Sequence, residues 1–310
     1  MKKRILILLV GGIFLTALSA NAQDLAHSPA AFVDIGFGAR PLGMAGAYTA
    51  ASKGVESVLW NPAGLSGVPF IQGTLSTTRQ LGLIPYHLTA AAFRFGSSFV
   101  HSEGVIVSGD EALREVTLLV GMSYEKRWQE GQWLRGGVAL HYRNASFGKN
   151  APAGSGAVTG SANGFSADFG VQYSPAAHYV LGAVLKNSIN YLQWNSSTSG
   201  KYSEGLPRRL IFGLAAVDLA RFTFDLDFEK ALYRDVADAF SFGVERPIYR
   251  YFFLRGGFSR GLVPAGFLKT ALGGGLHYDF PQGFTLFLDA AYIFQDLNNN
   301  FRLSLTFDLK

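Results

Sequence analysis

The chain has 310 residues, no cysteine and a formal net charge of +5 at pH 7. The lack of cysteine excludes a disulfide framework and also the lipid attachment to cysteine that marks a lipoprotein. Basic residues are interleaved with Asp and Glu along the sequence and form no run. This pattern favours a solvated interior and loops of mixed charge over a nucleic-acid-binding surface.

Residues 1–22 have the pattern of a secretory signal. Three basic residues at positions 2–4 precede an apolar stretch at 5–18, and Ala20 and Ala22 supply the small residues before a cleavage point. The apolar stretch is short for a membrane-spanning helix, so cleavage is favoured over a transmembrane anchor. We therefore expect an exported mature chain.

Residues 23–68 are rich in glycine and alanine, and we predict that they form a compact plug. Small residues allow close backbone approach or positive φ, which tight packing inside a barrel requires. Asn61 is expected to cap a short helix that begins at Pro62, with Gly64 or Gly67 at its end. The glycine spacing does not match a dinucleotide-binding or phosphate-binding loop.

From residue 69 to 310 the sequence alternates between apolar and polar side chains. The alternation is clearest in 134–143, 165–173, 222–230, 268–278, 284–292 and 301–310. Because successive side chains of a strand point to opposite faces, each segment has one apolar face and one polar or small face. Weaker segments bring the count to fourteen: 69–76, 87–95, 99–107, 114–125, 133–147, 165–174, 179–186, 208–219, 222–230, 239–246, 251–259, 268–278, 284–293 and 301–309.

These segments predict an all-β fold, a transmembrane antiparallel β-barrel of about 14 strands over 69–310, with the plug in its lumen. A soluble sandwich or ligand barrel also alternates, but it normally places its apolar face inside and its charges outside. Aromatic residues near the strand ends suit the two membrane interfaces. The expected location is the outer membrane of a bacterium.

The connections between the predicted strands alternate in length, as they do in outer-membrane barrels with short periplasmic turns and longer extracellular loops. The two longest, 148–164 and 187–207, are rich in Gly, Ser and Asn. Tyr191 and Trp194 in the second loop are candidate contact residues, because exposed aromatic side chains often anchor interfaces. They would equally fit an interfacial aromatic girdle.

One charged residue of the plug needs a partner in the barrel. Arg40 is predicted to pair with a carboxylate on a lumen-facing strand position. The candidate lumen charges are Asp168, Asp225, Asp227 and Glu229.

No catalytic constellation stands out. None of the six histidines has a metal-ligand spacing with another, and there is no G-x-S-x-G nucleophile elbow. The stripe of Asp225, Asp227 and Glu229 along one strand is better explained as a salt-bridged lumen face than as a cation-binding or acid–base site. We expect a protein without enzymatic activity, metal, cofactor or nucleic-acid partner.

Two short motifs in the plug are similar to those of a known family. They comprise Gly38, Ala39, Arg40, Gly43, Met44, Gly46 and Ala47, followed by Trp60, Asn61, Pro62, Ala63, Gly64 and Leu65. This pattern resembles the signature of the PorV/PorQ family, a branch of the FadL-like outer-membrane proteins. The resemblance implies a fourteen-stranded barrel with an N-terminal hatch in its lumen.

The resemblance leaves two functions open. The favoured one is a component of a type IX secretion system, whose loops would bind the C-terminal domains of exported cargo and whose partners would include the secretion translocon. The alternative is a passive transporter that carries fatty acid or another apolar ligand across the outer membrane. The second mechanism needs a kinked strand, for which the glycines at 256–257 and 273–275 are candidates.

Overall fold

The computed structural model describes residues 36–80, 84–109, 113–128, 131–148, 158–233, 236–263, 266–295 and 299–309. The predicted signal at 1–22 and the start of the predicted plug at 23–35 lie outside these residues. No helix in the described ranges is long and apolar enough to cross a bilayer.

Antiparallel strands make up most of the described chain. Fifteen are present in these residues: β1 (Ile71–Gln80), β2 (Ile84–Phe95), β3 (Phe99–Gly109), β4 (Leu113–Arg127), β5 (Trp133–Phe147), β6 (Gly160–Ala176), β7 (Tyr179–Ser196), β8 (Gly200–Glu204), β9 (Arg209–Leu219), β10 (Phe222–Ala231), β11 (Ala239–Pro247), β12 (Phe252–Gly261), β13 (Leu268–Phe280), β14 (Phe284–Gln295) and β15 (Asn300–Leu309).

The sheet closes on itself. β1 pairs with β15, starting at Ile71 opposite Leu309, and β6 pairs with β7 at the other end of the sheet order. β8 pairs only with β7, so the described strands form a closed barrel of fourteen plus one extra strand. The prediction of a fourteen-stranded antiparallel barrel is therefore confirmed.

The predicted loops at 148–164 and 187–207 are wrong in their extent. β6 already begins at Gly160, and β7 continues to Ser196 before the chain turns back as β8. Trp194 and Tyr202 lie opposite each other in this hairpin with stacked rings, 6.3 Å between centroids. Cross-strand aromatic pairs of this kind stabilise a hairpin despite its polar, glycine-containing sequence.

The two faces of the wall differ in chemistry. Large apolar side chains such as Leu118, Leu140, Phe212 and Leu272 are exposed on the outside. Buried polar side chains, including Ser123, Ser166 and Asp289, point inward. A water-soluble barrel has the reverse arrangement, so the outer surface suits the hydrocarbon region of a membrane.

Residues 36–68, here called the N-terminal segment, lie in the interior. They contain helices α1 (Ala39–Gly43) and α2 (Ser57–Trp60) and a 3₁₀ helix (Pro62–Gly67). α1 contacts β12 to β15, whereas the 3₁₀ helix contacts β3 to β6. The segment therefore reaches across the lumen from one side of the wall to the other.

Candidate functional site

The candidate site is the contact between the N-terminal segment and the inner wall. On one side, two carboxylates of β10 hold the backbone of the turn that follows α1. Asp227 Oδ2 accepts the backbone N–H groups of Tyr48 and Thr49 at 2.9 and 3.1 Å, and Asp225 Oδ2 accepts that of Ala51 at 2.7 Å. All of these groups are buried, where a backbone N–H group without an acceptor is costly.

Two amide side chains bind carbonyl groups of the same turn. Gln172 Nε2 on β6 donates to the carbonyl oxygens of Ala50 and Ser52, both at 2.9 Å. Asn61 Nδ2 donates to Thr49 O at 2.9 Å, and Asn61 Oδ1 accepts the N–H of Ala63 in the 3₁₀ helix. The predicted cap at Asn61 is confirmed, and the same side chain also links the 3₁₀ helix to the turn.

Arg40 forms an ion pair, but not with any of the predicted carboxylates. Its Nε and Nη2 atoms contact the two Glu245 oxygens of β11 at 2.9 and 2.8 Å. Glu245 also accepts from Arg255 Nε at 2.6 Å, and Arg255 Nη1 donates to Asp289 at 2.5 Å. The prediction failed because α1 faces β12 to β15, so Arg40 lies beside β11 and β12 and not beside β6 or β10.

The four predicted lumen charges have other partners. Asp225 and Asp227 bind the backbone of the N-terminal segment, as described above. Asp168 accepts the N–H of Asn187 at 2.7 Å within the wall, and Glu229 pairs with Arg209 at 3.2 Å. Only two of the four therefore contribute to holding the segment.

A small polar cavity lies next to the Arg40 ion pair. Its volume is about 130 Å³, and its lining includes Tyr48, Lys53, Glu56 and Arg255. Burial raises the pKa of the Glu56 carboxyl to about 7, and the negative charge of Asp289 adds to that rise. Burial likewise raises the pKa of Tyr48 to about 12 and lowers the pKa of Lys53. The cavity is too small and too polar for an apolar ligand of ordinary size.

Glycines allow the closest approaches between the segment and the wall. Gly38 and Gly46 have φ values of 91° and 88°, which disfavour any side chain. A Cβ atom on Gly273 of β13 would lie 3.0 Å from the Cα atom of Gly43. The pairing of β12 with β13 is regular through Gly256 and Gly273. These glycines therefore do not interrupt the strand pairing, and Gly273 makes room for α1.

The interruption of the wall lies at β7. The register between β6 and β7 shifts after Ala167, and Asn187 has a φ of 51°. The pairing of β7 with β9 ends at Lys186 opposite Arg209. Beyond this point residues 205–208 lie beside β7, held by side chains instead of a ladder.

Two asparagines make those contacts. Asn187 Nδ2 donates to Pro207 O at 2.9 Å, and Asn190 Oδ1 accepts the N–H of Leu206 at 2.9 Å. Leu206 is buried, and it packs with Leu192 and Trp194. We call this region, residues 187–190 and 205–208, the β7–β9 seam.

Tyr191 and Trp194 are not on a loop. Both belong to β7, where Tyr191 is exposed and packs against Phe165, while Trp194 packs with the seam and donates to Glu204 at 2.9 Å. Alternation along β7 turns Trp194 to the face opposite that of Tyr191. Trp194 is thus half-buried against the seam, whereas Tyr191 is exposed.

Apolar side chains of the segment and wall remain partly exposed inside the barrel. Leu59 of α2, Ile84 of β2 and Ile106 of β3 are half-buried and pack on one apolar cluster. Trp60 follows Leu59 in the sequence, donates to Phe37 O at 2.8 Å and has its ring 5.3 Å from Lys186 Nζ. In the described residues no group of three acidic, His or Cys side chains is arranged for a metal ion.

Comparisons with known proteins identify the fold. No family model and no curated protein matches the chain. Among solved structures, the CymD monoaromatic hydrocarbon channel is 15% identical, with a TM-score of 0.62 over 88% of this chain and 97% of that one. The toluene transporter TodX of Pseudomonas putida is 15% identical, with a TM-score of 0.59 over 88% and 97%. A FadL homologue of Pseudomonas aeruginosa is 10% identical, with a TM-score of 0.56 over 87% and 98%.

These three structures are FadL-type barrels. Identities of 10 to 15% relate the chains by fold alone. Together with its apolar outer belt, this fold locates the chain in a bacterial outer membrane, as predicted. The chain has the fold of FadL-like outer-membrane barrels.

Proposed function

We propose that this protein is a non-enzymatic channel for the passive passage of small apolar molecules across the outer membrane. The observation that carries the proposal is the interrupted wall at the β7–β9 seam, next to a lumen occupied by the N-terminal segment. An apolar molecule that leaves a barrel sideways enters lipid without crossing water, and a break in the strand ladder supplies such an exit.

In this mechanism the N-terminal segment acts as the hatch. An apolar molecule that enters from the loop side meets the half-buried Leu59, Ile84 and Ile106. The hatch blocks further axial movement, since α1 contacts β12 to β15 and the 3₁₀ helix contacts β3 to β6 on the other side of the wall. Sideways exit through the seam then requires that residues 205–208 move, which also breaks the hydrogen bond from Leu232 N–H to Arg208 O.

The seam is suited to such a movement. Asn187 and Asn190 bind residues 205–208 through side-chain hydrogen bonds, each of which contributes about 1 kcal/mol net. A continuous backbone ladder would be much harder to open than these side-chain hydrogen bonds, because every backbone N–H and C=O group inside a bilayer needs a partner. The buried Leu206 must also move, and its apolar side chain can do so at low cost in contact with lipid or an apolar ligand.

The alternative role in type IX secretion rests on the motif resemblance. Of its two proposed loop contacts, Trp194 is packed against the seam, and only Tyr191 is exposed. The similar solved structures include a monoaromatic hydrocarbon channel and a toluene transporter. We therefore favour transport of apolar molecules.

Uptake with the seam locked tests the proposal. The chain has no cysteine, so Asn190→Cys with Leu206→Cys introduces a single disulfide across the seam. Asn195→Cys with Lys201→Cys is the matched control, because these residues are direct partners in the β7–β8 hairpin, outside the seam. Uptake of radiolabelled toluene and oleate is measured in cells with the protein in their outer membrane.

We expect the oxidised seam disulfide to lower uptake at least tenfold and a reductant to restore it, with no effect of the control disulfide. Uptake no higher than that of cells lacking the protein would refute the proposal, and uptake unaffected by the oxidised seam would refute the lateral exit. Affinity purification from mild detergent separates the alternative: exported proteins that share a C-terminal domain would favour the secretion role.

A further inference from the structure

The outer surface carries polar side chains on one part of the barrel. Along β4 to β15 the outward positions between the strand ends are almost all apolar, aromatic or small. On β1, β2 and β3 they include hydroxyl, imidazole and carboxylate groups. We call this set the outer polar strip: Thr77, His87, Thr89, His101 and Glu103.

The strip is continuous across three paired strands. Thr77 lies opposite His87, and Thr77 Oγ1 is 3.0 Å from His87 Nδ1. Thr89 is opposite Val105 on β3, next to Glu103 on the same face. His101 Nε2 is 3.0 Å from Glu103 Oε1. These two contacts lie within the strip, and the Glu103 side chain remains 70% exposed.

The depth of Glu103 makes it unlike an ordinary interfacial charge. It follows the exposed aromatic Phe99 by four positions along β3, which corresponds to about 13 Å of strand. The apolar band of such barrels is about 25 Å tall, so the carboxylate lies well inside it. Its short side chain does not reach the interface, and ionisable groups inside a membrane normally face protein or water.

Apolar residues on the inner face of the same strands fix the orientation of the outer polar strip. Leu88 of β2 and Val100 of β3 are buried and pack in one cluster with Val58 and Leu65 of the N-terminal segment. A shift of one residue would turn these apolar side chains outward and the strip inward. Packing against the segment therefore fixes the strip on the membrane side.

We infer that the outer polar strip is the contact surface for a second copy of this chain within the membrane. The strip contains both donors, in its imidazole and hydroxyl groups, and an acceptor, in Glu103. A surface with both is complementary to itself, as a two-fold symmetric contact requires. The small outward residues Gly73 and Ala91, which are direct partners, allow two walls to approach closely.

Cysteine cross-linking in intact outer membranes tests this inference. Ala91→Cys places a single thiol within the strip, and Leu226→Cys on β10 is the matched control. β10 stands seven places from β2 in the ring of fourteen strands, on the opposite side of the barrel, and Leu226 is exposed. Both variants are oxidised and also treated with a short bis-maleimide, and the mass of each adduct is determined.

A covalent dimer of the chain for Ala91→Cys, at least fivefold more abundant than for Leu226→Cys, is expected. Glu103→Leu in the Ala91→Cys background should lower this yield at least threefold, while resistance to unfolding in detergent is kept or increased. Equal yields for the two cysteines, no dimer, an adduct to a different protein or no effect of Glu103→Leu would each overturn the inference.

Discussion

Removing the Asp227 carboxylate should release the N-terminal segment. Asp227 accepts two buried backbone N–H groups, from Tyr48 and Thr49. A buried N–H group left without its acceptor costs about 1–3 kcal/mol, so Asp227→Ala removes about 2–6 kcal/mol of attachment. Asp225 lies two residues from Asp227 on the same face of β10, and relief of the repulsion between the two carboxyl groups offsets part of this loss. We expect a net loss of about 3 kcal/mol.

Thiol labelling measures that loss directly. Ser52 is 2% exposed, so Ser52→Cys gives a thiol that a water-soluble maleimide reaches only when the N-terminal segment detaches from the inner wall. When opening precedes labelling, the rate follows the open population, and about 3 kcal/mol corresponds to roughly a 150-fold faster reaction.

A second residue on the same strand provides the control. Glu229 lies two positions from Asp227 on the same face, but it pairs with Arg209 of the wall. Glu229→Ala should leave the labelling rate of Ser52→Cys within about threefold. If Asp227→Ala labels at the parental rate, or if both variants accelerate labelling equally, Asp227 does not hold the segment.

Three further predictions concern the same contact. Gly273→Val should lower the thermal midpoint in detergent by at least several degrees through overpacking against α1, whereas Gly274→Val, whose side chain would point into open space towards lipid, should not. Asn61→Ala should accelerate labelling of Ser52→Cys by at least tenfold, because it removes a helix cap and a link to the turn; an unchanged rate would contradict both roles. When the N-terminal segment is bound to the wall, the pKa of Glu56 is about 7 instead of the ordinary 4.5, so Glu56 is protonated more readily in the bound segment. The attachment of the segment should therefore weaken as the pH rises from 4.5 to 7, and it should not change further above pH 7. Labelling across this range should become up to a few hundredfold faster, and a Glu56→Gln variant with the same pH dependence would refute the assignment.

The strands were predictable because their information is local. Alternation with a period of two residues identifies a strand such as Phe222–Ala231 without knowledge of its neighbours. The Asn61 cap was equally predictable, since the capped N–H lies two residues away. The β8 strand was missed, because its five residues are too short and too polar to show alternation.

The contacts of the candidate site were less predictable. The Arg40–Glu245 pair joins residues 205 positions apart, and its choice depends on which wall strands face α1. The position of the seam at Asn187 depends on where β7 and β9 stop pairing. That point is set by how the whole barrel closes, and the sequence of neither strand determines it alone. Gln172 had a visible signal, an amide on the small and polar face of a strand, but nothing in the sequence identified its partner.

One side chain, that of Lys186, connects the N-terminal segment to the strand that carries the β7–β9 seam. Lys186 Nζ donates to Leu59 O of α2 at 2.9 Å, and the next residue, Asn187, belongs to the seam. Movement at the seam should therefore weaken the attachment of α2. Lys186→Met keeps most of the packing volume but removes the donor, so we expect both faster labelling of Ser52→Cys and altered uptake of toluene. Leu181→Met on the outward face of β7 is the control. A change in labelling without any change in uptake would mean that the attachment of the N-terminal segment and the opening of the β7–β9 seam are independent.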